Sequence, residues 1–252
     1  MSTFSIRDCL PVVNTKMEKV MNDYFIWNGV NSTTKGIYVL EQPPIIIPEE
    51  RVTFTDVPGR SGSLATTEGE DVYNDITLPF KCIIRNTENL DAVISFLHGA
   101  GNLSYPVRPG GHYEARIVNQ IPLEKILRGN PHRSFTVNFR CKPLFLIDGT
   151  EDITMTTSGQ FVNNPYSVAS DPVITVTGSG DITLMIGQYI IFLEDVEGNI
   201  TLDSRLQEAY NGDELQNGRM TGDFPKLAPG QNAVSWIGNV TNLLVKPYWI
   251  TK

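Results

Sequence analysis

Beyond Gly149 no stretch of this sequence keeps apolar residues at helical spacing. Short β-branched runs follow one another instead: Thr154 to Thr157, Val173 to Val176, Ile182 to Ile186, Tyr189 to Leu193 and Ile200 to Asp203. Between them lie turn residues, at Gly178-Ser179-Gly180-Asp181, Ile186-Gly187-Gln188 and Glu197-Gly198-Asn199. Glycine, Asn and Asp tolerate the positive φ that tight turns require. Strands that short and that regularly punctuated predict a β-sandwich. A proline-rich and glycine-rich segment, Phe224 to Asn232, then precedes Ala233 to Trp236, and Leu243 to Trp249 forms a further strand-like run.

The first half reads differently. Two strands between Phe25 and Leu40 are broken by Asn28-Gly29, a strong hairpin dipeptide. Pro43, Pro44 and Pro48 then impose an extended segment outside any ladder. Arg51 to Val57 alternates, and Ile76 to Ile84 reads as a strand that Pro79 places at a sheet edge. A helix starts at Thr87 or Asn89 and runs to His98, with Leu90, Val93, Ile94 and Leu97 on one face and Gly99 as its stop. Gly101 to Tyr105 and Tyr113 to Val118 pair across a turn at Pro109-Gly110-Gly111, and Arg133 to Cys141 is the last strand. The fold class is therefore mainly β, with an α+β first domain carrying one packed helix.

Three sections follow from this texture: a leader over residues 1–24, a β-rich domain over 25–146 and a β-sandwich over 147–252. In the leader, Thr15 to Glu18 fits a capping box, and Met17, Val20, Met21 and Tyr24 predict a short amphipathic helix. Its charges, Arg7, Asp8, Lys16, Glu18 and Lys19, are not those of a secretory signal. The longest aliphatic runs fall far short of the ~20 residues a membrane span needs, so the expectation is a soluble protein made in a cytoplasm.

Charge is unevenly spread across the 252 residues. Residues 1–143 carry fifteen basic and fifteen acidic side chains, whereas residues 144–252 carry five against thirteen. An acidic half is a poor grip for phosphates, which excludes nucleic-acid binding as the main task. A channel through which DNA slides without sticking stays compatible with it. Cys9, Cys82 and Cys141 are odd in number and lack metal-site spacing, so neither a disulfide framework nor a zinc site is expected. Cys82 and Cys141 end strand-like runs and read as small buried hydrophobes.

No catalytic, cofactor or metal site is expected either. His98, His112 and His132 sit beside turn residues rather than beside a Ser or Cys nucleophile, and Gly59-Arg60-Ser61-Gly62 is not a nucleophile elbow. Asp195 and Glu197 have the residue types of a glycosidase pair, but on a hairpin tip they read as a solvated turn.

The loop that draws functional interest is Pro58, Gly59, Arg60, Ser61 and Gly62, between two strand-like runs. Two glycines flank a cation while Pro58 fixes the approach, so the loop holds Arg60 out rather than packing it. A solvated tip and an anion-binding nest are both open readings.

Taken in order, Phe25 to Ser32, Gly36 to Glu41, Pro43-Pro44-Ile45, Val57 to Leu64, Gly99 to Leu103, Tyr113 to Ile117 and Phe139 to Pro143 resemble the amino-terminal domain of the phage distal tail (Dit) protein family. The resemblance runs from about Phe25 to Pro143 and continues more weakly beyond. It implies a galectin-like sandwich as the second domain and a structural role: a homo-oligomeric, hexameric ring at the tail tip. Such a hub joins the tail tube protein to tip or fibre proteins and receptor-binding proteins, with DNA passing through unbound. The loop around Arg60 would then face the channel or a ring neighbour, and the protein would belong to the virion, assembled in the host bacterial cytoplasm. The alternative is a lectin-like carbohydrate-binding module, suggested by the sandwich with Trp236, Tyr248 and Trp249. Aromatics of this kind are more often core than sugar platform.

Overall fold

The computed structural model describes residues 23–69, 71–85, 90–125 and 132–252. The expected leader helix and the turn at Gly129 to Pro131 lie outside the described residues. In chain order the first unit contains β1 (Ile26–Trp27), β2 (Val30–Asn31), β3 (Ile37–Glu41), β4 (Val52–Thr55), β5 (Leu64–Thr67), β6 (Ile76–Ile84), α1 (Leu90–Phe96), β7 (Ala100–Tyr105), β8 (Arg108–Ile117), β9 (Glu124–Lys125), β10 (Arg133–Cys141) and β11 (Phe145–Ile147). All pairings are antiparallel, in the order β2-β1-β7-β8-β10-β6-β3. The β1–β2 hairpin turns at Asn28 and Gly29, both at positive φ, as the dipeptide predicts.

Alternation decides what the sheet buries. Along β6, Ile76, Leu78, Phe80, Cys82 and Ile84 point inward, and along β10 Phe135, Val137, Phe139 and Cys141 do the same. Phe139 lies 5.3 Å from Phe25, 5.1 Å from Trp27 and 5.5 Å from Phe80, ring centre to ring centre. Phe96 of α1 stacks on Phe25, which brings the helix onto this cluster. Val93 and Leu97 are buried, whereas Ile94 is 56% exposed. The inward stripe of α1 is thus rotated from the expected one, because Phe96 takes the place given to Ile94.

Two other expectations are corrected here. β6 is an interior strand between β10 and β3, but β3 covers it only from Lys81 to Ile84. Pro79 sits beyond the end of β3, where its missing N–H costs no ladder bond on that side. The β7–β8 hairpin turns at Pro106-Val107, since Tyr105 pairs with Arg108. Pro109 to Gly111 lie inside β8, and Gly111 is opposite Ile147. A Cβ on Gly111 would come within 2.0 Å of the Leu146 carbonyl, so this glycine serves strand approach, not a turn.

The second unit contains β12 (Ile153–Met155), β13 (Gln160–Asn164), β14 (Val173–Ile186), β15 (Tyr189–Asp203), β16 (Glu208–Asn211), β17 (Glu214–Leu215), β18 (Met220–Thr221) and β19 (Gly230–Lys246), followed by β20 (Ile250–Thr251). The sheet order is β12-β19-β14-β15-β16-β17, with β13 on β19 and β18 on β15. Gly187-Gln188 forms the expected two-residue hairpin between Ile186 and Tyr189. The glycines of Gly178 to Asp181 and of Glu197 to Asn199 do not end strands: Gly178 pairs with Gly198 in mid-ladder. The register slips between Gly180 and Ile182, and Gly180, Gly198 and Gly238 all have positive φ. Glycines in that conformation bulge and bend a strand without stopping it. Ile174 and Val176 before the bend, and Ile182, Leu184 and Ile186 after it, accordingly line one core. Asp195 sits on this bulge and Glu197 pairs with Ser179 beside it, both inside β15 rather than on a hairpin tip.

Cys82 and Cys141 are free and buried. Both inward-facing, they sit on neighbouring strands, but Cys141 is opposite Ile76, six residues from Cys82 along β6. At ~3.3 Å per residue that is about 20 Å, far beyond disulfide reach. Burial pushes both thiols up to about 12. Peptide mapping after iodoacetamide treatment at pH 8 will find both unmodified in the folded protein and labelled after denaturation. In urea titrations, Phe139→Ala will lower stability by about 3–5 kcal/mol, the usual cost of deleting a buried aromatic ring.

Candidate assembly surface

β3 and β6 are neighbours in the sheet, yet the chain between them makes a long excursion over residues 42–75. Within it β4 and β5 pair only with each other: Val52 with Thr67, Thr53 with Thr66, Phe54 with Ala65 and Thr55 with Leu64. Period-2 alternation therefore puts Val52 and Phe54 on one face and Leu64 on the other, with threonines filling most of the remaining positions. Neither face has enough apolar area for a core. Phe54 is 70% exposed, and Leu64 and Val57 are exposed as well. Ile45 and Ile47, on the approach to β4, are exposed too. An isolated two-stranded ribbon is marginal in water, so a surface of this kind is built to be covered.

Pro58, Gly59, Arg60, Ser61 and Gly62 form the tip of the ribbon and are all exposed. Gly59 and Gly62 take positive φ, the Arg60 N–H donates to the Val57 carbonyl at 3.2 Å, and the Ser63 hydroxyl closes the loop on Asp56 at 2.7 Å. The loop holds Arg60 outward, as its sequence suggests. Sequence reasoning missed the flanking side chains. The sign was Asp56, which falls on the same side of β4 as Val52 and Phe54 and contradicts a buried face.

The root of the ribbon is tied down. The Arg51 N–H donates to Val72, the Asn74 N–H to Glu49, and Arg51 pairs with Glu68 at 3.5 Å. Lys252 reaches the same place: its ammonium lies 3.7 Å from Asp71 and 4.8 Å above the Tyr73 ring. The Tyr73 hydroxyl also donates to Asp71 at 2.9 Å, and burial raises its pKa.

A second polar cluster joins the two units. Glu114 on β8 accepts from Lys142 at 2.5 Å and from Arg205 at 3.2 Å, and Arg205 also lies 5.0 Å over the Tyr248 ring. His112 and Asp148 pair at 2.6 Å across the same cleft of about 370 Å³. The Lys142 hydrogen bond, opposed by partial burial and reinforced by the charges of Lys142, Arg205 and His112, holds the Glu114 carboxyl below its ordinary 4.5. Among the described residues no group of three or more His, Cys, Asp or Glu side chains has metal-binding geometry, and no helix is long and apolar enough to cross a membrane.

This arrangement, a helix-backed sheet with a ribbon excursion and a bent second sheet, shares its overall fold with a solved phage distal tail (Dit) protein. The crystal structure of SPP1 Dit, described as a paradigm of the hub adsorption apparatus in phages that infect Gram-positive bacteria, is similar with a TM-score of 0.69 at 15% identity, covering 88% of this chain and 98% of that one. The baseplate of phage p2 in its activated conformation with Sr contains a chain similar at a TM-score of 0.43 and 8% identity, covering 88% of this chain and 97% of that one. No protein-family model and no curated protein matches the sequence. At such identities the likeness is one of fold.

Because Glu114 is held below its ordinary value, its stabilising effect is complete above about pH 4.5 and is lost as pH falls through its folded-state pKa. Glu114→Gln will therefore lower the melting temperature at pH 7, by an amount equivalent to about 1 kcal/mol or less for a partly exposed pair. The curves of variant and parent will converge as pH falls below 4.5 and through the folded-state pKa of Glu114.

Proposed function

We propose that this protein is the structural hub of a phage tail tip, a subunit of a hexameric ring that joins the tail tube to tip, fibre and receptor-binding proteins. The observation that carries the reading is the fold shared with SPP1 Dit over 98% of that protein, through both units. The ribbon supports the ring. A chain that exposes Phe54, Val57 and Leu64 on a two-stranded excursion gains stability when a neighbour covers them. In this reading the first units surround the channel, Arg60 meets a ring neighbour or faces the lumen, and the acidic second units point outward. DNA passes the ring without specific binding, and the protein resides in the virion after assembly in the bacterial cytoplasm. Its work is mechanical, with no bond-making of its own.

The lectin-like alternative has weaker support. Trp236 and Trp249 pack against the second core, and Tyr248 lies beneath Arg205, which leaves few free ring faces for a sugar.

Light scattering of the purified chain over a concentration series tests the ring. A sixfold chain mass is expected at high concentration, and Phe54→Ser with Leu64→Ser will weaken assembly at least tenfold while leaving circular dichroism unchanged. A stable monomer or dimer at every concentration, or a ring indifferent to those substitutions, would overturn the proposal.

A further inference from the structure

We infer that the outer face of the β14–β15–β19 sheet is a docking surface for a foreign protein segment that presents apolar side chains flanked by Lys or Arg. Alternation builds this face. While Ile182, Leu184, Ile186, Ile191, Leu193 and Val234 point into the core, the residues between them point out. Thr183 is opposite Phe192 on one side and Ile237 on the other. In the next row Met185 lies between Ile190 and Ser235. Directly paired residues on one face have Cβ atoms about 4.5–5.5 Å apart, so these side chains form a continuous patch. Ile237 is 67% exposed, Ile190 53% and Phe192 49%. A large apolar patch rimmed by polar groups marks an interaction site more often than scattered exposed residues do.

Charge identifies the occupant. Beyond the Thr183 row the strands carry exposed Asp181, Glu194, Asp195 and Glu197, and the strand facing Phe192 leads from Thr221 to Asp223. Asp181 accepts from the Asp195 N–H at 3.0 Å, which holds these acidic residues together at the bulge. Arg219 is already engaged there, donating to the Asp195 carbonyl and lying 3.8 Å from its carboxylate. A second copy docked two-fold symmetrically would set this acidic rim against itself, and like charges juxtaposed across an interface disfavour it. Phosphate-rich nucleic acid and anionic lipid headgroups meet the same repulsion. A protein segment with basic residues beside its apolar anchors satisfies both parts of the surface. This holds whether or not the chain closes into a ring, because the patch lies on the outer face of the second sheet and the ribbon belongs to neither large sheet.

Fluorescence anisotropy on the full chain tests it, with two labelled model peptides of equal length, one of Leu and Lys and one of Leu and Glu. The Leu/Lys peptide will bind at least tenfold more tightly and weaken as salt is raised. The double variant Phe192→Asp with Ile237→Asp will lose at least tenfold in affinity, even though its added negative charge raises non-specific attraction for lysine. Glu194→Lys with Glu197→Lys, which leaves the apolar side chains in place, will abolish the preference between the peptides. Equal binding of both peptides, undiminished binding to the Asp variant, or an unchanged preference in the Lys variant would overturn the inference. So would a dimer of the parent chain that the Asp substitutions dissolve, since that assigns the face to a second copy. Light scattering on the same variants reports ring assembly separately and is expected to be unchanged, so failure of this inference and failure of the hub reading give different results.

Discussion

Phe139 makes the first unit one body. Its ring meets Phe25 and Trp27 at the start of the sheet and Phe80 on the neighbouring strand, while Phe25 in turn carries Phe96 of the helix. Each aromatic pair contributes about 0.5–1.5 kcal/mol beyond the area it buries. Their joint effect is to select a face: with these rings inward, the alternate residues of β6 and β10 are turned to solvent. The two strands that bracket the ribbon, β3 and β6, are thereby paired directly to each other. The 42–75 excursion thus makes no contribution to sheet closure that a short loop could not make. Its exposed side chains belong to another task.

Local signals in the sequence located the elements well where one residue type has one meaning. Asn28-Gly29 and Ile186-Gly187-Gln188 are hairpins, and Arg133 to Cys141 is a strand with those bounds. Glycine runs were less informative. The positive φ that Gly178 to Asp181 and Glu197 to Asn199 advertise serves a bulge as well as a turn. Only the long-range register between β14, β15 and β19 decides which, and no local pattern contains it. The same holds for Pro109 to Gly111, where the approach of β11 is what demands glycine. Pro79 suggests an edge strand, but β6 is interior and pairs Pro79 with Asn138 of β10; the break in pairing lies only where β3 ends.

The candidate surfaces divide in the same way. The tip from Pro58 to Gly62 was legible as an outward loop, because glycines around a cation say as much without tertiary information. The apolar outer face of the second sheet was written in Tyr189 to Leu193, where every residue is apolar and both parities are hydrophobic. A strand of that kind is covered on both sides, and the structure covers only one. The junction was illegible, since Glu114, Lys142 and Arg205 come from segments far apart in the chain and converge only after folding.

β11 and β20 lie side by side, Phe145 opposite Thr251 and Leu146 opposite Ile250, with the Ile147 N–H bonded to Trp249. The chain thus leaves for the second unit and comes back from it through adjacent, hydrogen-bonded strands. A body carried on one tether can swivel freely. One carried on two adjacent, hydrogen-bonded strands resists torsion more than one carried on a single strand. Pulling or twisting forces applied to the second unit would therefore pass into the first sheet instead of being dissipated in a loose linker.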